Sequence, residues 1–255
     1  MRPTSGIESY VICTAPRSGS TLLCLLLKET GVAGNPQSWF HAPSVDRWAE
    51  TLGVAQGADA DPRAQLAAVF KAARMAGSAG GLFGLRLQAP SLDFFRAQLR
   101  LLHPEAKSDV ARIEARFGQT RFLHLHRADK LDQAISRLIA QQTGLWHQAA
   151  DGRDIERHGA ARVPVYDADA IRAEIAALEA LDRLWEDWFA AESLRPLRID
   201  YDALAGDPRG VLRDVLVALG RDPAAADGVT VPTRKLAGET SRDWARRYRA
   251  EVGPR

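Results

Sequence analysis

Cysteine is scarce, charge is nearly balanced, and no long apolar run occurs. The two cysteines, Cys13 and Cys24, belong to no CxxC pair, which argues against a zinc site. They read as small buried thiols, as in a reducing cytoplasm. With 34 basic and 32 acidic residues the net charge is +2, too balanced to argue for nucleic acid or a membrane surface as partner. No uncharged stretch reaches the ~18 residues of a transmembrane helix, and the polar stretch Met1 to Ser9 holds no apolar signal core. No repeat at solenoid periods is evident.

What is present suits one soluble domain. The 255 residues, 46% hydrophobic and 26% charged, allow a single α/β unit over residues 1–255 with a large core. Ile7 to Thr14 reads as a buried strand, followed by a tight loop and an apolar helix, Leu22 to Glu29. Further strands are expected at Leu82 to Gln88, Arg121 to His126 and Leu197 to Asp200. Helices are expected at Pro62 to Met75, Ser91 to Leu102, Lys130 to Gln142, Asp169 to Ala190 and Pro208 to Leu219. Ala149 to Pro164 reads as a loop or flap, and the basic stretch Thr233 to Arg249 as a tail wrapping back over the domain. Strands alternating with helices predict a central parallel sheet covered on both faces. Ligands of such sheets sit at the carboxyl ends of strands, here near Thr14, Gln88 and His126.

The sharpest feature is strand, then APRSGST, then helix. Gly19 lets the backbone approach a ligand closely. Ser20 and Thr21 open the helix, so their N–H groups face an incoming anion. Arg17 adds a positive fork. The loop is not GxxxxGK[ST]: the lysine that works with magnesium on nucleotide phosphates is missing. A plain capped helix after a turn is the alternative. A second candidate is HRADKLDQAIS, in which Arg127 leaves a strand end and Ser136 lies two to three turns into the next helix. Alone, these could be a strand-end arginine and a solvent-facing serine; two such elements at two strand ends say more than one.

These residues resemble the sulfotransferases that use 3′-phosphoadenosine-5′-phosphosulfate (PAPS), most closely the bacterial trehalose 2-sulfotransferase family. The resemblance spans nearly the whole chain: APRSGSTLL, TGVAGNPQSWF, FGLRLQ, HLHRADKLDQAIS with QTGLW, IDYDAL with LRDVLVALG, and RKLAGETSRDWARRYR. It implies a three-layer P-loop-like fold and PAPS as donor, leaving adenosine 3′,5′-bisphosphate. It implies no metal, a small hydroxylated acceptor such as a sugar, and a homodimer. Arg17, Ser18, Gly19, Ser20 and Thr21 would hold the 5′-phosphosulfate, Arg127 and Ser136 the 3′-phosphate, and Arg234 would help enclose the adenosine. Gln37, Ser38, Trp39 and Phe40 would face the acceptor, with the aromatics, like Trp48, either stacking on it or packing the core.

Two positions depart from the family pattern. Its acceptor-loop glutamate, thought to be the general base, is Ser38 here, and its strand lysine is Arg86. Arginine keeps the positive charge but not the capacity to act as an acid at neutral pH. Arg17 and Arg86 would then neutralise charge on the leaving group, and His41, three residues past Ser38, is the candidate base; otherwise it is an exposed loop histidine. Of His124 and His126, one is expected to face the core and the other to reach the cleft. A kinase, or a relative that binds PAPS without turning it over, are the competing functions.

Overall fold

The computed structural model describes residues 6–55, 61–148, 154–157, 162–230 and 238–253. The first half runs β1 (Ser9–Thr14), α1 (Ser20–Glu29), α2 (Val45–Thr51), α3 (Pro62–Ala76), β2 (Ser78–Ala79), β3 (Leu82–Gln88), α4 (Leu92–Leu102) and α5 (Asp109–Phe117). The second runs β4 (Thr120–His126), α6 (Lys130–Thr143), β5 (Leu145–Gln148), β6 (Asp154–Arg157), α7 (Ala168–Ala191), β7 (Leu197–Asp200), α8 (Tyr201–Gly206), α9 (Pro208–Ala218) and α10 (Glu239–Val252). The main sheet has the order β2-β3-β1-β4-β7, parallel except for the short β2.

Strand alternation builds one core on each face of this sheet. Val11, Cys13, Phe83, Leu85, Leu87 and Phe122 face an aromatic-rich core with α3, α4, α5 and α7. Tyr10, Ile12, Leu82, Leu123 and Leu125 face the opposite core with α1 and α9. The result is the expected three-layer α/β architecture. β1 lies in the middle, and the chain passes to β3 on one side and to β4 on the other. The crevice at the carboxyl ends of β1 and β4 is therefore the switch point at which such sheets bind ligands.

The strands β3 and β7 have the expected limits, and most helices agree to within a residue or two. The helix α5 was not foreseen, since it carries only Ile113 and Phe117 as apolar anchors among charged residues. It is held by its ends: Ser108 caps it, and the Glu192 carboxylate accepts from the N–H groups of Asp109 and Val110 at 3.1 and 2.9 Å. The basic tail is in part a helix, α10, whose Trp244, Ala245 and Tyr248 pack with Ile135 of α6 and Ile171 of α7. Within the stretch read as a flap, residues 154–157 form β6, antiparallel to β5.

His124 and His126 share one face of β4, since they are two residues apart, with ring centroids 5.6 Å apart. His124 is the one that packs in the core, while His126, at the carboxyl end of β4, is about one-third exposed. His124 is buried, and its Nδ1 accepts from Arg198 Nη1 at 3.0 Å. Glu186, Arg198, His126 and Asp182 surround it. Burial lowers its pKa from 6.5 to about 4, against the opposite pull of Glu186. Between those values the unfolded chain takes up a proton that the folded protein refuses, so stability rises with pH across the window and is lost as pH falls through it. The slope is at most ~1.4 kcal/mol per pH unit. Denaturant midpoints measured from pH 6.5 to 4 should fall less steeply in His124→Gln; an unchanged slope would assign the acid sensitivity elsewhere.

Candidate active site

The phosphate loop is anchored from three sides. The Thr14 carbonyl accepts from Trp185 Nε1 of α7 at 3.0 Å, and the Thr14 hydroxyl donates to the Leu125 carbonyl of β4 at 3.0 Å. Ser18 is fully buried; its hydroxyl bonds that of Thr14 and donates to the Ala15 carbonyl at 2.9 Å. Its side chain is thus used inside the loop, leaving its N–H for an anion. Arg17 (φ 64°) and Gly19 (φ 84°) are both left-handed. A Cβ on Gly19 would lie 2.7 Å from the ring of Tyr201, so this position needs glycine for space as well as for conformation. No side chain caps α1 at Gly19, so its first N–H groups face the crevice with the positive end of the helix dipole.

The second element, after β4, folds against this loop. Arg17 Nε donates to Ser136 Oγ at 3.1 Å, and Arg17 Nη1 to the Trp146 carbonyl. Gln133, fully buried one turn before Ser136, donates through Nε2 to the Pro16 carbonyl at 2.7 Å and accepts from Lys130 Nζ at 3.1 Å. Lys130 pairs with Asp182 of α7 at 2.5 Å and also donates to the Arg127 carbonyl. Arg127 is buried, with its guanidinium 4.3 Å from the Tyr201 ring centroid and Nη2 3.5 Å from Asp132. Its Nε is buried without a hydrogen-bond partner, a donor suited to a ligand anion.

The loop after α1 lies along β3. Gly34 (φ 77°) approaches so closely that a Cβ would sit 2.8 Å from the Leu82 carbonyl. The Arg86 N–H donates to the Gln37 carbonyl at 3.0 Å. The Arg86 side chain donates to Ser38 Oγ and to Thr21 Oγ1, each at 2.8 Å. A cleft of about 220 Å³ opens here, lined by Thr21, Cys24, Leu25, Lys28, Asn35, Pro36, Gln37 and Arg86. Burial raises the Cys24 thiol to about 11, so it stays protonated at neutral pH.

Not every expected acceptor residue faces this cleft. Phe40 is buried in the core, its ring stacked on Phe70 at 4.5 Å, and Trp48 joins the same cluster. The Phe40 position in the loop therefore supplies packing rather than an acceptor wall. Trp39 is half-buried, with Nε1 unpaired. His41 is exposed; its carbonyl accepts from Trp48 Nε1 at 3.0 Å, and it does not line the cleft. Arg234 lies outside the described residues.

The model of the Stf0 sulphotransferase family matches residues 9–251. The chain belongs to that family. It is a sulfotransferase, as the motif resemblance implied. Two relatives are trehalose 2-sulfotransferases, from Mycobacterium tuberculosis (strain Erdman) and Mycolicibacterium smegmatis, 32% and 29% identical. Each alignment covers 96% of this chain, with 96% and 95% of the relatives' own lengths. A solved sulfotransferase domain from the Synechococcus PCC 7002 olefin synthase is 16% identical, with a TM-score of 0.41 over 97% of each chain.

In this sulfotransferase, three residues that brace the two candidate anion-binding elements went unread in the sequence: Lys130, Gln133 and Tyr201. Gln133 and Ser136 are three apart on α6, the spacing that puts two side chains on one helix face; that was the available signal. Tyr201 had none, because its role depends on β7 ending beside the phosphate loop. Among the described residues no helix is long and apolar enough to cross a membrane, and no group of His, Cys, Asp and Glu could hold a metal ion.

Proposed function

We propose that this sulfotransferase moves a sulfuryl group from PAPS to a hydroxyl of a small carbohydrate. The observation that carries this is the Arg86 fork, which bonds Thr21 of the phosphate loop and Ser38 of the acceptor loop at 2.8 Å each. One charged side chain thereby ties together the places where donor and acceptor would meet. Arg17 and the N–H groups at the start of α1 would hold the 5′-phosphosulfate, and Arg127 with Ser136 the 3′-phosphate. The unpaired Nε of buried Arg127 fits that assignment. Arg17 and Arg86 offset negative charge on the bridging oxygen as the bond to sulfur breaks, and the rigid loops keep attacking and leaving oxygens in line.

Ser38 has no useful basicity, and His41, the first titratable side chain after it in the loop, is exposed outside the cleft, so the acceptor proton is assigned to neither. The carbohydrate is inferred from the two relatives named for trehalose. The cytoplasmic assignment is supported by two buried cysteines that form no disulfide. A homodimer rests on the family resemblance.

The test is turnover with sulfur-labelled PAPS and a set of disaccharides, with chelator present, alongside titration with adenosine 3′,5′-bisphosphate and ATP. Labelled sugar and preference for the bisphosphate are expected. Preference for ATP, or turnover that requires added magnesium, would favour a kinase instead.

A further inference from the structure

We infer that the acceptor carries an anionic group, a carboxylate or phosphate, about one disaccharide length from the hydroxyl that receives the sulfuryl group. This rests on the sulfotransferase reading above and names the substrate class of the same cleft. Thr21, Cys24, Leu25 and Lys28 stand at i, i+3, i+4 and i+7 on α1, so they form one continuous wall. Asn35, Pro36 and Gln37 form the opposite wall, and Arg86 closes the end beside Thr21. Each end of the cleft thus carries a cation, and none of its eight lining residues is acidic.

The two cations have different duties. Arg86 bonds two neutral hydroxyl oxygens and faces the phosphate loop, so its charge falls to the donor. Lys28 lies seven residues further along α1, about 10 Å away at 1.5 Å per residue. That is beyond the reach of a sulfuryl group held at Thr21. Lys28 is exposed, and the neighbouring Glu29 turns one oxygen, Oε1, to the Thr230 N–H at 3.0 Å. Between the cations stand Cys24 and Leu25 on one wall and Asn35 and Gln37 on the other; Asn35 Nδ2 donates to the Ala76 carbonyl at 3.1 Å and its Oδ1 accepts from Gln37 Nε2 at 3.5 Å. Such a cleft takes a sugar ring in its middle, with the exposed Gln37 amide for its hydroxyls, and an anion against Lys28.

The test compares matched acceptors: trehalose with trehalose 6-phosphate, and other neutral disaccharides with their uronic-acid and 6-phosphate counterparts. Labelled PAPS is the donor, and adenosine 3′,5′-bisphosphate binding is measured in parallel. At least one anionic member should exceed its neutral counterpart in kcat/KM by about 10-fold at low salt, and by less at high salt. In Lys28→Gln that ratio should fall toward one, and in Lys28→Glu below it, with bisphosphate affinity retained. Bound bisphosphate with no anionic member outrunning its neutral partner overturns the inference alone, as does a ratio insensitive to Lys28. Loss of bisphosphate binding in the unmodified protein would remove the sulfotransferase reading itself.

Discussion

Replacing Arg17 by alanine is expected to weaken binding of adenosine 3′,5′-bisphosphate by about 100-fold. The guanidinium now spans two elements, donating to Ser136 and to the Trp146 carbonyl. It would exchange part of that set for phosphate oxygens, and hydrogen bonds to charged groups contribute about 1.5–3 kcal/mol each. Two such bonds account for the expected loss. Folding should suffer less. The residue sits at φ 64°, where any side chain is disfavoured and glycine is not, so Arg17→Gly removes the same guanidinium while relieving the backbone. The glycine variant should thus match alanine in lost affinity yet unfold at a higher denaturant concentration. Calorimetric titration and denaturant melts of both proteins check this. Affinity unchanged in both variants would take Arg17 out of the phosphate site.

Much of this site was legible because its chemistry is local. A strand, a glycine-bearing loop and a helix start within a dozen residues suggest an anion cradle without tertiary knowledge. Arg127 at a strand end was legible for the same reason. The links between such segments were not. Arg17 meets Ser136 across 119 positions, and Arg86 meets Thr21 across 65. No short-range pattern encodes those distances. The aromatics of the acceptor loop were ambiguous in principle, since Phe40 and Trp39 are adjacent and a loop has no fixed period. Only packing shows that Phe40 turns into the core while Trp39 stays half-buried. The histidines of β4 are different, because strand alternation alone places His124 and His126 on one face.

The fold divides along the same line. Helices with several apolar positions, such as α4 and α7, were read nearly to their ends. The helix α5 has two anchors and depends on Glu192, more than seventy residues away, to satisfy its first N–H groups. In α10 the apolar positions Trp244, Ala245 and Tyr248 are set among arginines and acids, so the segment reads as a charged tail until α6 and α7 are there to receive it.

Arg127→Ala should abolish most of the preference for a 3′-phosphorylated nucleotide. The unmodified protein is expected to bind adenosine 3′,5′-bisphosphate far more tightly than AMP, which differs only in lacking the 3′-phosphate. Arg127 is buried against Tyr201, and its only ion pair among the described residues is a 3.5 Å contact with Asp132. Its Nε still lacks a hydrogen-bond partner. A charge held this far from water with an unused donor is poised for a strong anion, and low local dielectric makes the interaction stronger than at the surface. Removing it should cost the bisphosphate about 100-fold in affinity and AMP only a few-fold. Because the guanidinium also packs on Tyr201, which in turn abuts Gly19, alanine risks loosening the phosphate loop as well. Arg127→Lys separates the two effects. It keeps a charge but presents no planar fork, so the bisphosphate should recover in part while the Tyr201 contact is only partly restored. Equal losses for both nucleotides in Arg127→Ala would place the 3′-phosphate elsewhere and reduce Arg127 to a support for the loop.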